Sequence, residues 1–205
     1  MIDSVLPIQA NFLNQCRTPL KYGYCDDQKI ISGGKCHVVF IERNFISSFM
    51  NLISQLLPES NVIVDLDVAS KKRVFEQAGL LFENTLHVAR SQVFDSLFAR
   101  ERLGSTGLGQ GVAIPHGRIK GLREAAAALV RMKEAIPFDA PDGLPVNIAC
   151  ILLVPEKATD KHLQILSELA QMFSDKSFRE KLLLSKDARE IHQLITDWVP
   201  DNVTN

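Results

Sequence analysis

The sequence predicts a domain of the α/β or α+β class, with one sheet covered by helices. Three observations predict it. Val146 to Val154 is a nearly continuous apolar run, fit for a strand buried on both faces. Stretches with apolar residues on one 3.6-residue face lie both before and after that run. Helical and strand-like segments mix along the chain instead of separating into blocks.

The totals agree. The chain has 205 residues, 46% of them apolar and 23% charged, which is ordinary for a globular protein able to bury a sizeable core. A net charge of -1 gives no electrostatic footprint for nucleic acid or an anionic membrane surface. No apolar run approaches the ~20 residues needed to span a bilayer. No basic region followed by an apolar block and cleavage site opens the chain. A cytoplasmic protein is expected, with no membrane insertion and no nucleic-acid partner. Of the 4 cysteines, Cys16, Cys25 and Cys36 fall early and Cys150 sits alone in an apolar run. Their spacing, even with His37, matches no standard zinc site, so reduced thiols and no metal are expected.

Residues 1–49 show neither period clearly. Gly23, Gly33, Gly34, Asn11, Asn14 and Asn44 interrupt every run. The pattern becomes orderly at Met50. The reading is a leader over 1–49 that is non-native or disordered, with Met50 as the natural first residue; a genuine N-terminal appendage is the alternative. A domain over 50–199 and a polar tail over 200–205 complete the division.

Within the domain, Met50 to Leu57 reads as a short helix stopped by Pro58. Val62-Ile63-Val64 is β-branched and reads as an early strand. Ser70 can cap a helix whose Val74, Phe75, Ala78, Leu81 and Phe82 share one face. A second helix spans about Ser91 to Arg102, with Val93, Phe94, Leu97 and Phe98 inward. Gly104, Gly107, Gly109 and Gly111 then lead into the strand-like Val112-Ala113-Ile114. Pro115, His116 and Gly117 close it. Pro115 pushes Ile114 to extended geometry and Gly117 allows a turn, so His116 is expected at a sheet end with no helix beside it. Glu124 to Met132 reads as a strand and Pro141-Asp142-Gly143 as a turn. A helix from about Asp160, capped by Thr159 or Asp160, turns Leu163, Leu166, Leu169, Ala170 and Phe173 inward. Two short helices follow, Lys176 to Leu184 and Asp187 to Trp198, and Pro200 ends the last.

The chemistry is sought among the 5 histidines. His37 lies in the leader, and His87 and His192 have nothing reactive beside them in sequence. Those three are assigned structural or solvated roles. His162 falls in the first turn of its helix, where backbone N–H groups and the dipole favour an anion and disfavour a protonated imidazole. His116 lies beside a glycine loop whose amides can approach a ligand closely. Arg100 or Arg102 ends the helix that enters that loop, although cations are favoured in any last helical turn. Together these parts suit a phosphoryl group, and a neutral imidazole nitrogen can attack phosphorus. The loop is neither a dinucleotide fingerprint nor a P-loop, because no Lys-Ser/Thr pair follows it. It is no nucleophile elbow either.

The segment Arg100-Glu101-Arg102-Leu103-Gly104-Ser105-Thr106-Gly107, followed by Gly109-Gln110-Gly111-Val112-Ala113-Ile114-Pro115-His116-Gly117, resembles the active-site segment of enzyme IIA domains of the bacterial phosphotransferase system. The branch is the one with fructose, mannitol and nitrogen-regulatory members, and the Gly-Ser-Thr-Gly loop is most similar to the nitrogen-regulatory type. The resemblance covers Met50 to about Val199 and includes Leu152-Leu153-Val154-Pro155 and the run from His162 to Ala170. It implies a single mixed sheet flanked by helices, a phosphotransferase with a phosphohistidine intermediate, and no metal or other cofactor. His116 would be the phosphoryl acceptor, His162 a supporting histidine and Arg100 the stabilising cation. Thr106 and Gly107 would contribute to phosphoryl binding. The donor would be the histidine-containing phosphocarrier protein. Downstream partners would be regulatory targets such as transporters or sensor kinases, or an enzyme IIB if the protein serves sugar transport. A binding module that is never phosphorylated is the alternative of a different class.

Overall fold

The computed structural model describes residues 51–157 and 160–199. The readings placed on 1–49, on Met50, on the Thr159 cap and on Pro200 and the tail lie outside the described residues, as does the zinc arrangement of Cys16, Cys25, Cys36 and His37.

Six strands and five helices lie among the described residues. They run β1 (Val62–Leu66), α1 (Lys71–Leu86), α2 (Arg90–Glu101), β2 (Gly107–Gly109), β3 (Val112–Ala113), β4 (His116–Ile119), β5 (Ala126–Ile136), β6 (Val146–Pro155), α3 (Asp160–Ser174), α4 (Lys176–Leu184) and α5 (Ala188–Thr196). The strands form one mixed sheet in the order β1-β5-β6-β3-β2, with β4 also paired to β6. β6 is central, as its nearly continuous apolar run requires. It pairs antiparallel with β5 and parallel with β3 and β4.

Alternation along the strands divides the core. Val112, Ile114, Leu129, Cys150 and Leu152 face α3, α4 and α5. Ala113, Ala128, Val130, Ile151 and Leu153 face α1 and α2. The alanine run of β5, ambiguous by composition, becomes strand because β6 supplies its hydrogen-bond partners. Cys150 is a fully buried free thiol, and burial pushes its pKa up to about 12, so it is inert.

Several expectations need correcting. The stretch before Pro58 forms only a 3₁₀ turn, Ile53–Gln55, not a helix. Its first amides are held from outside: Leu52 and Ile53 N–H both donate to the Glu168 carboxylate of α3, at 2.9 Å each. Ser70 stands at the N-cap of α1 in extended conformation, but its side chain makes no capping bond. The buried stripe of α3 is Ile165, Leu169, Met172 and Phe173. Leu163 is instead 58% exposed and Ala170 is on the solvent side, because the helix is rotated relative to the expected stripe. Phe98 of α2 is 36% exposed and stacks on Phe94, with ring centroids 5.6 Å apart.

The largest correction concerns His116. It does not close a strand; it opens β4, and α2 packs against that strand. β3 pairs Val112 with Ile148 and Ala113 with Ala149, and β4 pairs His116 with Leu152 and Gly117 with Leu153, so the register along β6 continues unchanged. Ile114 and Pro115 interrupt the strand without shifting it. Pro115 has no N–H to give, but its carbonyl still accepts from Leu152 N at 2.9 Å. Gly117 makes no turn. A Cβ there would meet Ser96 Oγ at 2.5 Å and Leu97 N at 3.3 Å, so glycine is what lets α2 lie directly on β4.

Candidate functional site

Alternation along β4 turns Gly117 and Ile119 toward α2 and leaves His116 on the opposite face of the strand. The ring is half-buried and both nitrogens are engaged. Nδ1 lies 3.0 Å from the Ile114 carbonyl oxygen. A carbonyl only accepts, so the proton of the neutral ring sits on Nδ1. Nε2 then presents its lone pair, and Arg100 Nε donates to it at 3.0 Å. Arg100 Nη1 also donates to the Gly104 carbonyl at 2.8 Å, which ties the guanidinium to the start of the glycine loop.

Burial holds the pKa of His116 below its ordinary 6.5. The hydrogen bond to Ile114 opposes this, while the charges on Arg100 and His162 reinforce it. The two imidazoles are therefore close enough to interact electrically, although they stand on different elements. His162 also lines a groove of about 610 Å³ shared with Gln55, Leu56, Arg123, Glu124 and Lys157.

Sequence reasoning thus picked out three residues that the fold brings together: Arg100, His116 and His162. Thr106 and Gly107 are near the loop but already occupied. Thr106 Oγ1 donates to Glu101 Oε2 at 2.6 Å, and the Gly107 N–H donates to Ser105 Oγ at 3.1 Å. Gly107 has a packing reason to be glycine, since a Cβ would lie 2.8 Å from Ala140 Cβ. The glycine loop is in large part a hairpin: β2 pairs with β3 around Gln110 and Gly111, both at positive φ. Asp142 closes it by accepting from Gln110 N at 2.6 Å.

Glu101 was passed over. It is 6% exposed and accepts from Thr106 N at 3.0 Å, Thr106 Oγ1 and Lys71 Nζ at 3.1 Å. A signal for it exists in sequence, because an acidic residue in a last helical turn opposes the dipole and so needs another reason to be there. The close approach of α2 to Gly117 left no such signal. His87 caps the C-terminus of α1 in left-handed conformation, and His192 Nε2 lies 3.0 Å from the Leu57 carbonyl; both are structural, as expected. No group of three or more His, Cys, Asp or Glu able to hold a metal ion occurs among the described residues. No helix among them is long and apolar enough to cross a membrane.

Comparison with known proteins adds three findings. The family described as "Phosphoenolpyruvate-dependent sugar phosphotransferase system, EIIA 2" matches residues 55–198. A nitrogen regulatory protein from Pseudomonas aeruginosa is 38% identical over 146 residues, covering 71% of this chain and 95% of that protein. The crystal structure of nitrogen regulatory protein IIA-Ntr from Neisseria meningitidis is similar with a TM-score of 0.68 and 53% identity, covering 71% of this chain and 100% of that one. At 20% identity and a TM-score of 0.59, the fold is also that of the mannitol enzyme IIA from Escherichia coli solved in complex with phosphorylated mannitol enzyme IIB, covering 68% of this chain and 98% of that one.

Proposed function

Because the chain belongs to the EIIA 2 family of the phosphoenolpyruvate-dependent sugar phosphotransferase system, we propose that it is a nitrogen-regulatory phosphocarrier whose His116 accepts a phosphoryl group from the histidine-containing phosphocarrier protein. The observation that carries this reading is the engaged, neutral imidazole: proton toward Ile114, lone pair toward Arg100. The Nε2 lone pair attacks phosphorus while the N–P bond of the donor breaks and its electron pair returns to the donor nitrogen. The ring becomes cationic, and the Ile114 carbonyl steadies its Nδ1–H. Arg100 leaves Nε2 and meets the phosphoryl oxygens, still anchored on Gly104. His162 supports the group from α3 without carrying it. The reaction needs positioning and charge stabilisation from this chain, and no further cofactor.

The activity is assigned to residues 50–199 and to the cytoplasm, where the donor carrier works. Phosphorylation adds about two negative charges at the surface around His116. That change decides which regulatory target is bound, a transporter or a sensor kinase. The 53% identity with a nitrogen-regulatory structure favours this over sugar transport, in which the group would pass to an enzyme IIB.

The test is a phosphorylation assay with phosphoenolpyruvate, enzyme I and the phosphocarrier protein, and mass-spectrometric mapping under non-acidic conditions. A label on His116 that His116→Ala abolishes is expected. No label, with a control enzyme IIA active, would leave a binding module.

A further inference from the structure

We propose that Glu101 is a positioning residue for phosphoryl acceptance, holding His116 in its reactive tautomer through Thr106 and Ile114; this rests on His116 being the acceptor. Glu101 stands at the end of α2, where the helix dipole disfavours a carboxylate. It is also almost fully buried, which is costly unless its charge is paired and hydrogen-bonded. Both costs are met. Lys71 Nζ lies 3.1 Å from Oε1 and is itself shared with Asp139 at 2.6 Å. Oε2 accepts from both the N–H and the hydroxyl of Thr106, at 3.0 and 2.6 Å.

The connection then runs on to the imidazole. The Thr106 carbonyl accepts from Ile114 N at 2.9 Å, across the hairpin. The Ile114 carbonyl faces His116 Nδ1 at 3.0 Å. Thr106 thereby holds Ile114, the residue whose carbonyl, one peptide further on, selects the ring proton's position. On the other side of the ring, Arg100, the chain neighbour of Glu101, donates to Nε2. Both ring nitrogens are thus governed from one helix end. While Glu101 is ionised the Thr106 hydroxyl proton is committed to it, so Thr106 acts through Ile114 and makes no direct phosphoryl contact.

A residue that merely soldered the loop would affect stability but not which ring nitrogen carries the proton. The readout is therefore ¹⁵N NMR of the histidine side chains in the full-length protein, together with the rate of phosphoryl acceptance. In the wild type, His116 is expected as a single neutral tautomer protonated on Nδ1. Glu101→Gln should give a mixed tautomer population and acceptance slower by about 10–100-fold. Thr106→Val should reproduce both effects, Thr106→Ser should recover most of each, and the double variant should be no slower than the worse single one. If Glu101→Gln fails to fold, Thr106→Val decides alone. A Nδ1-protonated ring and a wild-type rate in the folded variants would overturn the proposal, as would additive losses. A wild-type chain that takes no phosphoryl group would defeat the functional reading instead, and the tautomer comparison would still decide the role of Glu101.

Discussion

Arg100 Nε donates to His116 Nε2 at 3.0 Å, so a cation sits on the lone pair that chemistry would use. If the ring is phosphorylated as proposed, the guanidinium starts beside the position where negative charge would accumulate. Arg100→Ala is expected to slow acceptance by about 10²–10³-fold, the scale of a lost charge-stabilising donor. Stability should change by no more than about 1–2 kcal/mol, the scale of the two hydrogen bonds the half-buried side chain makes to His116 and Gly104. Arg102 is exposed, and Arg102→Ala should leave the rate alone. A wild-type rate in Arg100→Ala, measured by rapid quench, would remove Arg100 from the site.

His162 influences His116 through charge from a separate helix. His162→Ala is expected to slow acceptance while the label stays on His116. Mapping the phosphoryl group onto His162 in the unaltered protein would reverse the two roles.

Gly117 sets how near α2, and with it Arg100, comes to β4. In Gly117→Ala the new methyl would meet Ser96 Oγ at 2.5 Å and Ser96 Cβ at 3.2 Å. We expect a loss of about 1–3 kcal/mol from overpacking and slower acceptance as Arg100 is displaced. Adding Ser96→Ala removes the nearer clash and leaves the other, so recovery should be partial. Urea denaturation of the single and double variants checks this; a Gly117→Ala protein as stable as the wild type would show that α2 is free to shift.

His116 titrates below its ordinary 6.5 when folded. Between the folded value and 6.5 the unfolded chain binds more protons, so this group's contribution to stability is present above 6.5 and is lost as pH falls through that window. The same shift keeps the ring neutral and nucleophilic at neutral pH. NMR titration of the His116 ring should give a midpoint under 6.5; a midpoint at or above it would contradict the burial of the ring as the controlling cause.

Much of this was legible from residue order. The β6 run was expected over Val146 to Val154 and is found over Val146–Pro155, because a run apolar at every position but Asn147 suits a strand covered on both faces. α4 was bounded as found, since its flanking Asp175 and Ser185 are ordinary helix-end residues. Leu163 and Ala170 were misjudged because several apolar stripes fit the same α3 sequence, and only the docked sheet selects one. The turn at Ile53–Gln55 was read as a helix because its amides are satisfied by Glu168, more than a hundred residues away.

By itself the sequence determined a single helix-covered sheet, and a histidine beside a glycine-rich turn with a second histidine at a helix start. These follow from local rules: periodicity, backbone restriction and helix-end electrostatics. The tertiary structure alone decided that Arg100 rather than Arg102 meets the ring, which nitrogen holds the proton, and that Glu101 anchors the loop. Each depends on how α2 lies on β4 and how the hairpin lies on α2. Such placements are set by packing between segments that sequence spacing leaves independent.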